Sequence, residues 1–122
     1  MGGAFSATCL PDASALLIAF DQDADYESPN FQWFRARRPR FVYVDRIVVA
    51  DSRRGRGVAG HLYRDLFARA GAAGHDRIVC EVNLDPPNPG SDAFHARMGF
   101  AEVGRTALEP GGKTVRYYER PL

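Results

Sequence analysis

Residues 52–60 read Ser-Arg-Arg-Gly-Arg-Gly-Val-Ala-Gly, between a run that reads as a strand and one that reads as a helix. A helix N-terminus leaves backbone N–H groups unpaired and carries a partial positive charge. Glycines placed just before it let an anion approach the backbone closely. Gly55 and Gly57 stand at that junction, and Arg53, Arg54 and Arg56 add forked donors suited to phosphate. A tight turn with exposed arginines would use the same residues, so the glycines alone leave both readings open. Two phosphate loops do not fit. The nucleoside-triphosphate loop needs Lys and then Ser or Thr where Val58 and Ala59 stand. The dinucleotide fingerprint finds its spacing in Gly55, Gly57 and Gly60, but the next strand ends in Asn83 with Glu81 before it, and the sheet is too small.

Three further side chains could move protons. Asp45 lies mid-strand in Tyr-Val-Asp-Arg-Ile-Val-Val, where a charge is costly unless paired or used. Arg46 beside it points to the opposite face by strand alternation, so the two are not evident partners. Glu81 lies on the neighbouring strand. Either carboxylate could take a proton directly or through water, and either could instead be tied to a backbone group or an arginine. His95, of a residue type titrating near ~6.5, could give up a proton near neutrality or pack as a locally bonded histidine.

The elements that position these groups follow from periodicity. Residues 3–9 and 14–20 read as two short strands around Pro11 and Asp12, a hairpin signal. Residues 21–40 have no clean period and read as a long connection without a helix: acidic first, aromatic in the middle, basic at the end. Residues 41–50 are the strongest strand, apolar enough to be covered on both faces. From Gly57 the period changes, with Val58, Leu62, Leu66 and Ala70 on one stripe and Gly71 and Gly74 at its end. Residues 77–83 form the next strand, giving a βαβ unit with two parallel strands. Residues 91–99 read as a short helix with Ser91 or Asp92 near its cap. The flanks of Glu-Pro-Gly-Gly at 109–112 make a C-terminal antiparallel hairpin.

The 122 residues suit one domain. A formal charge of +1 argues against a general nucleic-acid binder. No run approaches the roughly 20 apolar residues of a membrane span. Cys9 and Cys80 are far apart and read as buried thiols of a reduced, cytoplasmic protein.

Arg54-Gly55-Arg56-Gly57-Val58-Ala59 resembles the R/Q-x-x-G-x-G/A motif of the GCN5-related N-acetyltransferases (GNAT). Asn88 and then Phe94-His95-Ala96-Arg97-Met98-Gly99-Phe100 resemble that family's N-x-x-A-x-x-L-Y-x-x-x-G-F element. The resemblance covers about residues 14–119 and implies an α/β (α+β) fold: a mixed, mostly antiparallel twisted sheet with a central parallel pair and flanking helices. It implies acetyl-CoA as cofactor. Backbone groups of Val48, Val49 and Ala50 would pair with its pantetheine arm, and the amides of Arg54, Gly55, Arg56, Gly57, Val58 and Ala59 would cradle the pyrophosphate. Asn88 would approach the pantetheine or hold the opening between the parallel strands. The implied reaction is acetyl transfer to a small-molecule or peptide amine through a tetrahedral intermediate. A strand N–H such as that of Val49 would polarise the carbonyl, Asp45 or Glu81 would act as base and His95 as proton donor. Neither metal, nucleic acid nor membrane enters this reading.

Two departures stand out. His95 replaces the family's usual Tyr. No helix pattern precedes residue 41 to wall the acceptor site, so either that wall is missing or residues 21–40, or the partner in a homodimer, supply it. Asp21, Asp23, Asp25 and Glu27 could then attract a cationic amine, with Phe31, Trp33 and Phe34 covering it or tucked into the core. A non-catalytic CoA-binding or protein-interaction module is the alternative. Arg54→Glu combined with Gly57→Glu should abolish saturable acetyl-CoA binding in a calorimetric titration; undiminished binding would remove the corner from the cofactor site.

Overall fold

The apolar run Phe41–Val44 is fully buried and anchors the centre of a six-stranded sheet. The computed structural model describes residues 6–9, 14–50, 57–85, 89–107 and 114–122. Arg54, Gly55, Arg56 and Asn88 of the expected cofactor set lie outside these residues, as does the 109–112 turn.

Strands β1 (Ser6–Cys9) and β2 (Ala15–Asp21) form the expected antiparallel hairpin. β2 pairs antiparallel with β3 (Val42–Val49), which runs parallel to β4 (Arg77–Asp85). β4 pairs antiparallel with β6 (Thr114–Pro121), and β6 with the edge strand β5 (Ala101–Ala107), so the order is β1-β2-β3-β4-β6-β5. Helix α2 (Val58–Ala72) is the crossover between the parallel strands, and α3 (Pro89–Arg97) follows β4. α3 begins at Pro89, so Ser91 and Asp92 sit inside its first turn and not at its cap.

Each face of the sheet carries its own core. On one, Leu62, Tyr63 and Leu66 of α2 pack with Val42, Val44, Ile78 and Cys80, and Phe94 of α3 and Met98 just after it add to them. On the other, a helix stands where the sequence reading expected a connection without one: α1, Pro29–Arg35. Its seven residues are too few to show a period, yet Pro29 at its first turn presets the helical φ. Phe31 and Phe34, one turn apart, are both completely buried with Phe41, Tyr43 and Tyr117. These two phenylalanines are core and cover no acceptor site. Burying each contributes roughly 1.5–3 kcal/mol, enough to hold a helix too short to stand alone.

β3 and β4 share two register pairs, Val42–Ile78 and Tyr43–Val79. Beyond Tyr43 they part. The burial expected on both faces of β3 therefore holds only for its first half, and Val48 is half exposed.

Trp33 of α1 stacks on Tyr117 of β6 at 4.2 Å between ring centroids. It lies against Gly104 of β5, where a Cβ would fall 2.4 Å from the indole Cζ2. Gly104→Ala should displace the indole and destabilise the protein by about 1–3 kcal/mol. Trp33 is the sole tryptophan, so its fluorescence during denaturant unfolding reads both effects directly.

Candidate functional site

The parting of β3 and β4 opens a cavity of about 130 Å³ whose lining includes Asp45, Glu81, His95, Tyr63, Cys80 and Ser91. The three proton-moving candidates of the sequence thus meet in one place. The register explains it. Tyr43 and Val79 are partners and share a face; Asp45 and Glu81 lie two residues further along each strand, on that same face. The carboxylates consequently flank the gap at the level where the strands separate. Val44 and Cys80 turn to the opposite face, toward Tyr63 and His95.

Each carboxylate is held by a phenol. The Tyr26 hydroxyl donates to Asp45 Oδ1 at 2.5 Å, and the Tyr43 hydroxyl donates to Glu81 Oε1. The bond to Asp45, then burial, pushes the Tyr26 hydroxyl up to about 12, so Tyr26 remains a donor. Burial, with the negative charge of Glu81, raises Tyr43 beyond the ordinary phenol range. Tyr26 is itself fixed by stacking on Phe20 at 4.5 Å and by Gln32 Nε2 donating to its carbonyl at 2.7 Å.

Burial raises the Glu81 carboxyl from 4.5 to about 7, and the nearby Asp45 charge adds to it. Hydrogen bonds from Tyr43 and Asn30 oppose the rise without cancelling it. Asn30 is placed by α1, where its Oδ1 accepts from Tyr117 at 2.9 Å.

On the other face His95 is 5% exposed. Its Nδ1 lies 2.8 Å from the Ser91 carbonyl, which can only accept, so Nδ1 carries the proton. Burial lowers the His95 pKa below its ordinary value and keeps the ring neutral at neutral pH. Nε2 is then an acceptor and receives the Tyr63 hydroxyl at 3.0 Å. Tyr63 is raised by burial and by Cys80, and burial likewise raises the Cys80 thiol, leaving it an unreactive neutral group.

Of the expected cofactor contacts, Val48 and Val49 end β3 beyond the parting, and Ala50 follows them. The Ala50 N–H donates to the Ser14 carbonyl at 2.7 Å, on the β2 side. Alternation then turns the Val49 N–H to the other edge, toward the gap. Gly57 caps α2 with φ +73°, a left-handed conformation that favours glycine, and Val58 and Ala59 open the helix.

Tyr26, Asn30, Tyr43 and Tyr63 are site residues that the sequence reading did not single out. Tyr43 had a signal, standing two residues from Asp45 on one strand face. Tyr63 adjoins the apolar stripe of Leu62 and Leu66, where its type reads as core.

Residues 17–100 match the acetyltransferase (GNAT) family model. Phosphinothricin N-acetyltransferase of Streptomyces coelicolor is 40% identical over 95 residues, covering 73% of this chain and 54% of that protein. The chain thus spans about half the length of the curated relative it matches. Among solved structures, nourseothricin acetyltransferase superposes with a TM-score of 0.67 at 24% identity, over 94% of this chain and 62% of that one. The NatC complex bound to Gag peptide and CoA gives 0.69 at 16% identity, over 94% and 65%. At these identities the likeness is one of fold.

A carboxyl that ionises near 7 when folded and near 4.5 when free opposes folding once the pH rises above 4.5, and the cost is complete above 7. That difference corresponds to roughly 3 kcal/mol. Glu81→Gln should therefore raise stability at pH 8 by about 2–3 kcal/mol relative to wild type, with little gain at pH 4.5. Denaturant melts at the two pH values measure this, and equal gains at both would refute the raised carboxyl.

Proposed function

We propose that this chain, which belongs to the acetyltransferase (GNAT) family, transfers an acetyl group from acetyl-CoA to a primary amine of a small molecule or peptide. The observation that carries the reading is Glu81, a carboxyl raised to about 7, on the wall of the gap between the parted strands. A base must be ionised and yet hold a proton well near the working pH, and Glu81 meets both demands.

The residues present fit acetyl-CoA. The β3 edge beyond Tyr43 has no β4 partner in register, and the Val49 N–H turns toward it. α2, fifteen residues long, begins beside that edge at a glycine with positive φ, where the first-turn amides suit a phosphate. Arg54, Gly55, Arg56 and Asn88 complete the set through the sequence motifs. When bound, the cofactor supplies an activated acetyl thioester.

The chain's own groups then divide the work. Asp45, anchored by Tyr26, attracts the acceptor's ammonium group and keeps Glu81 basic. Glu81 takes a proton from that ammonium, and the resulting neutral amine is the nucleophile. The Val49 N–H supports charge developing on the acetyl oxygen. His95 holds no proton on the nitrogen facing Tyr63, so it acts on the reacting atoms through the Tyr63 hydroxyl and is a positioning residue. A reducing, cytoplasmic setting belongs to the same reading, supported by the buried free thiol of Cys80. Among the described residues no helix is long and apolar enough to cross a membrane.

Thiol release from acetyl-CoA with an amine acceptor should show kcat/KM low below pH 7, rising through an apparent pKa of about 7, and level above. Glu81→Gln should lower kcat by roughly 10²–10⁴ while calorimetric acetyl-CoA binding persists. Asp45→Asn removes a charge that raises Glu81, so its profile should move to lower pH. A profile flat through pH 7 together with an active Glu81→Gln enzyme would exclude Glu81 as base.

A further inference from the structure

We infer that Asn30 of α1 is a positioning residue for Glu81: Tyr117 holds its carbonyl oxygen, which turns its amide N–H toward the carboxylate and fixes the orientation of the base. This rests on the acetyl-transfer reading of the same site, in which Glu81 takes the proton.

Glu81 on β4 and Tyr117 on β6 are register partners, so their side chains stand side by side on the α1 face of the sheet. Asn30, in the first turn of α1, meets both. An asparagine side chain has a donor end and an acceptor end, whereas a carboxylate only accepts. The end that meets the Glu81 carboxylate is therefore the NH2 group. Oδ1 is left for Tyr117, whose hydroxyl donates to it at 2.9 Å. Both contacts require the same orientation, and a flipped amide would lose both.

Tyr117 is itself held firmly. It is 1% exposed, stacked on Trp33 at 4.2 Å and edge-on to Phe34 at 5.2 Å. Burial raises its hydroxyl above the usual phenol value, so it remains a donor, and Thr106 of β5 bonds the same hydroxyl. The backbone of Asn30 is fixed between Pro29, which opens α1, and the completely buried Phe31.

The remaining groups around Glu81 have other engagements. Tyr43 of β3 bonds its Oε1, and Tyr26 is committed to Asp45, which brings a like charge. Tyr63, His95 and Cys80 lie toward the opposite face in uncharged forms. Arg46 lines the cavity with an exposed side chain, and Arg37 lies over the Trp33 ring at 4.1 Å. Among the described residues neither arginine pairs with Glu81. The Asn30 bond strengthens when Glu81 is ionised, so it favours the carboxylate against the burial that raises it.

The test uses the full chain carrying Asn30→Leu, Tyr117→Phe or both. Leu is close to Asn in size and Phe keeps the ring against Trp33, so unchanged Trp33 fluorescence reports an intact core. The Glu81 carboxyl carbon is followed by NMR against pH in the chain alone. Thiol release from acetyl-CoA is followed against pH with a panel of alkylamines, amino acids and lysine peptides. Asn30→Leu should move both midpoints up from about 7 by about one pH unit. It should also lower kcat above that midpoint by roughly tenfold or more. Tyr117→Phe should act in the same direction by less, and the double variant should match Asn30→Leu alone. Either midpoint unmoved in a folded Asn30→Leu chain overturns the positioning role, and wild-type turnover then leaves the transfer reading standing. Saturable acetyl-CoA binding by wild type with no thiol release for any acceptor overturns the transfer reading and the role with it.

Discussion

β3 and β4 pair at Val42–Ile78 and Tyr43–Val79 and then separate. A parallel pair that continued would satisfy its own backbone and close the sheet. By parting it leaves a strand edge, a cavity and two carboxylates at one level. The parting has to be held from both sides, because an open strand edge inside a small domain is otherwise a liability. β2 holds β3 along its outer edge as far as Val49, and β6 holds β4 as far as Asp85. The antiparallel neighbours thus fix the width of a gap that the parallel strands themselves do not bridge.

That gap also joins two chemically different faces. On the α1 side the two carboxylates of the gap are held by phenols and an amide: Tyr26 on Asp45, Tyr43 and Asn30 on Glu81. On the α2–α3 side a neutral chain runs from the Ser91 carbonyl through His95 to Tyr63, beside the charged pair of Asp92 and Arg116. Burial holds His95 and Cys80 there in their uncharged forms.

Most of the framework was legible because it has period. The alternation and apolar run of residues 41–50 and the i, i+4 stripe from Val58 to Ala70 mark β3 and α2, and the two glycine-bearing motifs mark the family. Asp45, Glu81 and His95 stood out because charge and imidazole are unusual inside strands and beside apolar turns. What the sequence hid was hidden for physical reasons. α1 has seven residues, so its Phe31 and Phe34 make a single i, i+3 pair that no window distinguishes from a loop. Its stability is tertiary, coming from the aromatic pack with Phe41, Tyr43 and Tyr117. Tyr26 and Tyr63 are site groups only by virtue of where the chain returns, and their types alone read as core. The tautomer of His95 depends on a carbonyl four residues back in the same helix, and its partner Tyr63 lies on another.

α1 links fold and chemistry more tightly than its length suggests. Phe31 and Phe34 face into the core, while Asn30, between Pro29 and Phe31, reaches Glu81 and Tyr117. Gln32 holds the carbonyl of Tyr26, which in turn holds Asp45. Residues of one short helix thus set both the packing and the hydrogen bonds around Asp45 and Glu81. Glu81 is raised chiefly by burial, and that burial exists because the aromatic side chains of α1 and Tyr43 keep water from its flank. The same packing that stabilises the helix therefore destabilises the charged form of Glu81. A looser α1 would wet the carboxyl and return it toward 4.5, lowering its basicity while the sheet stayed intact. The acidity of Glu81 is in this sense a readout of how well a seven-residue helix is packed.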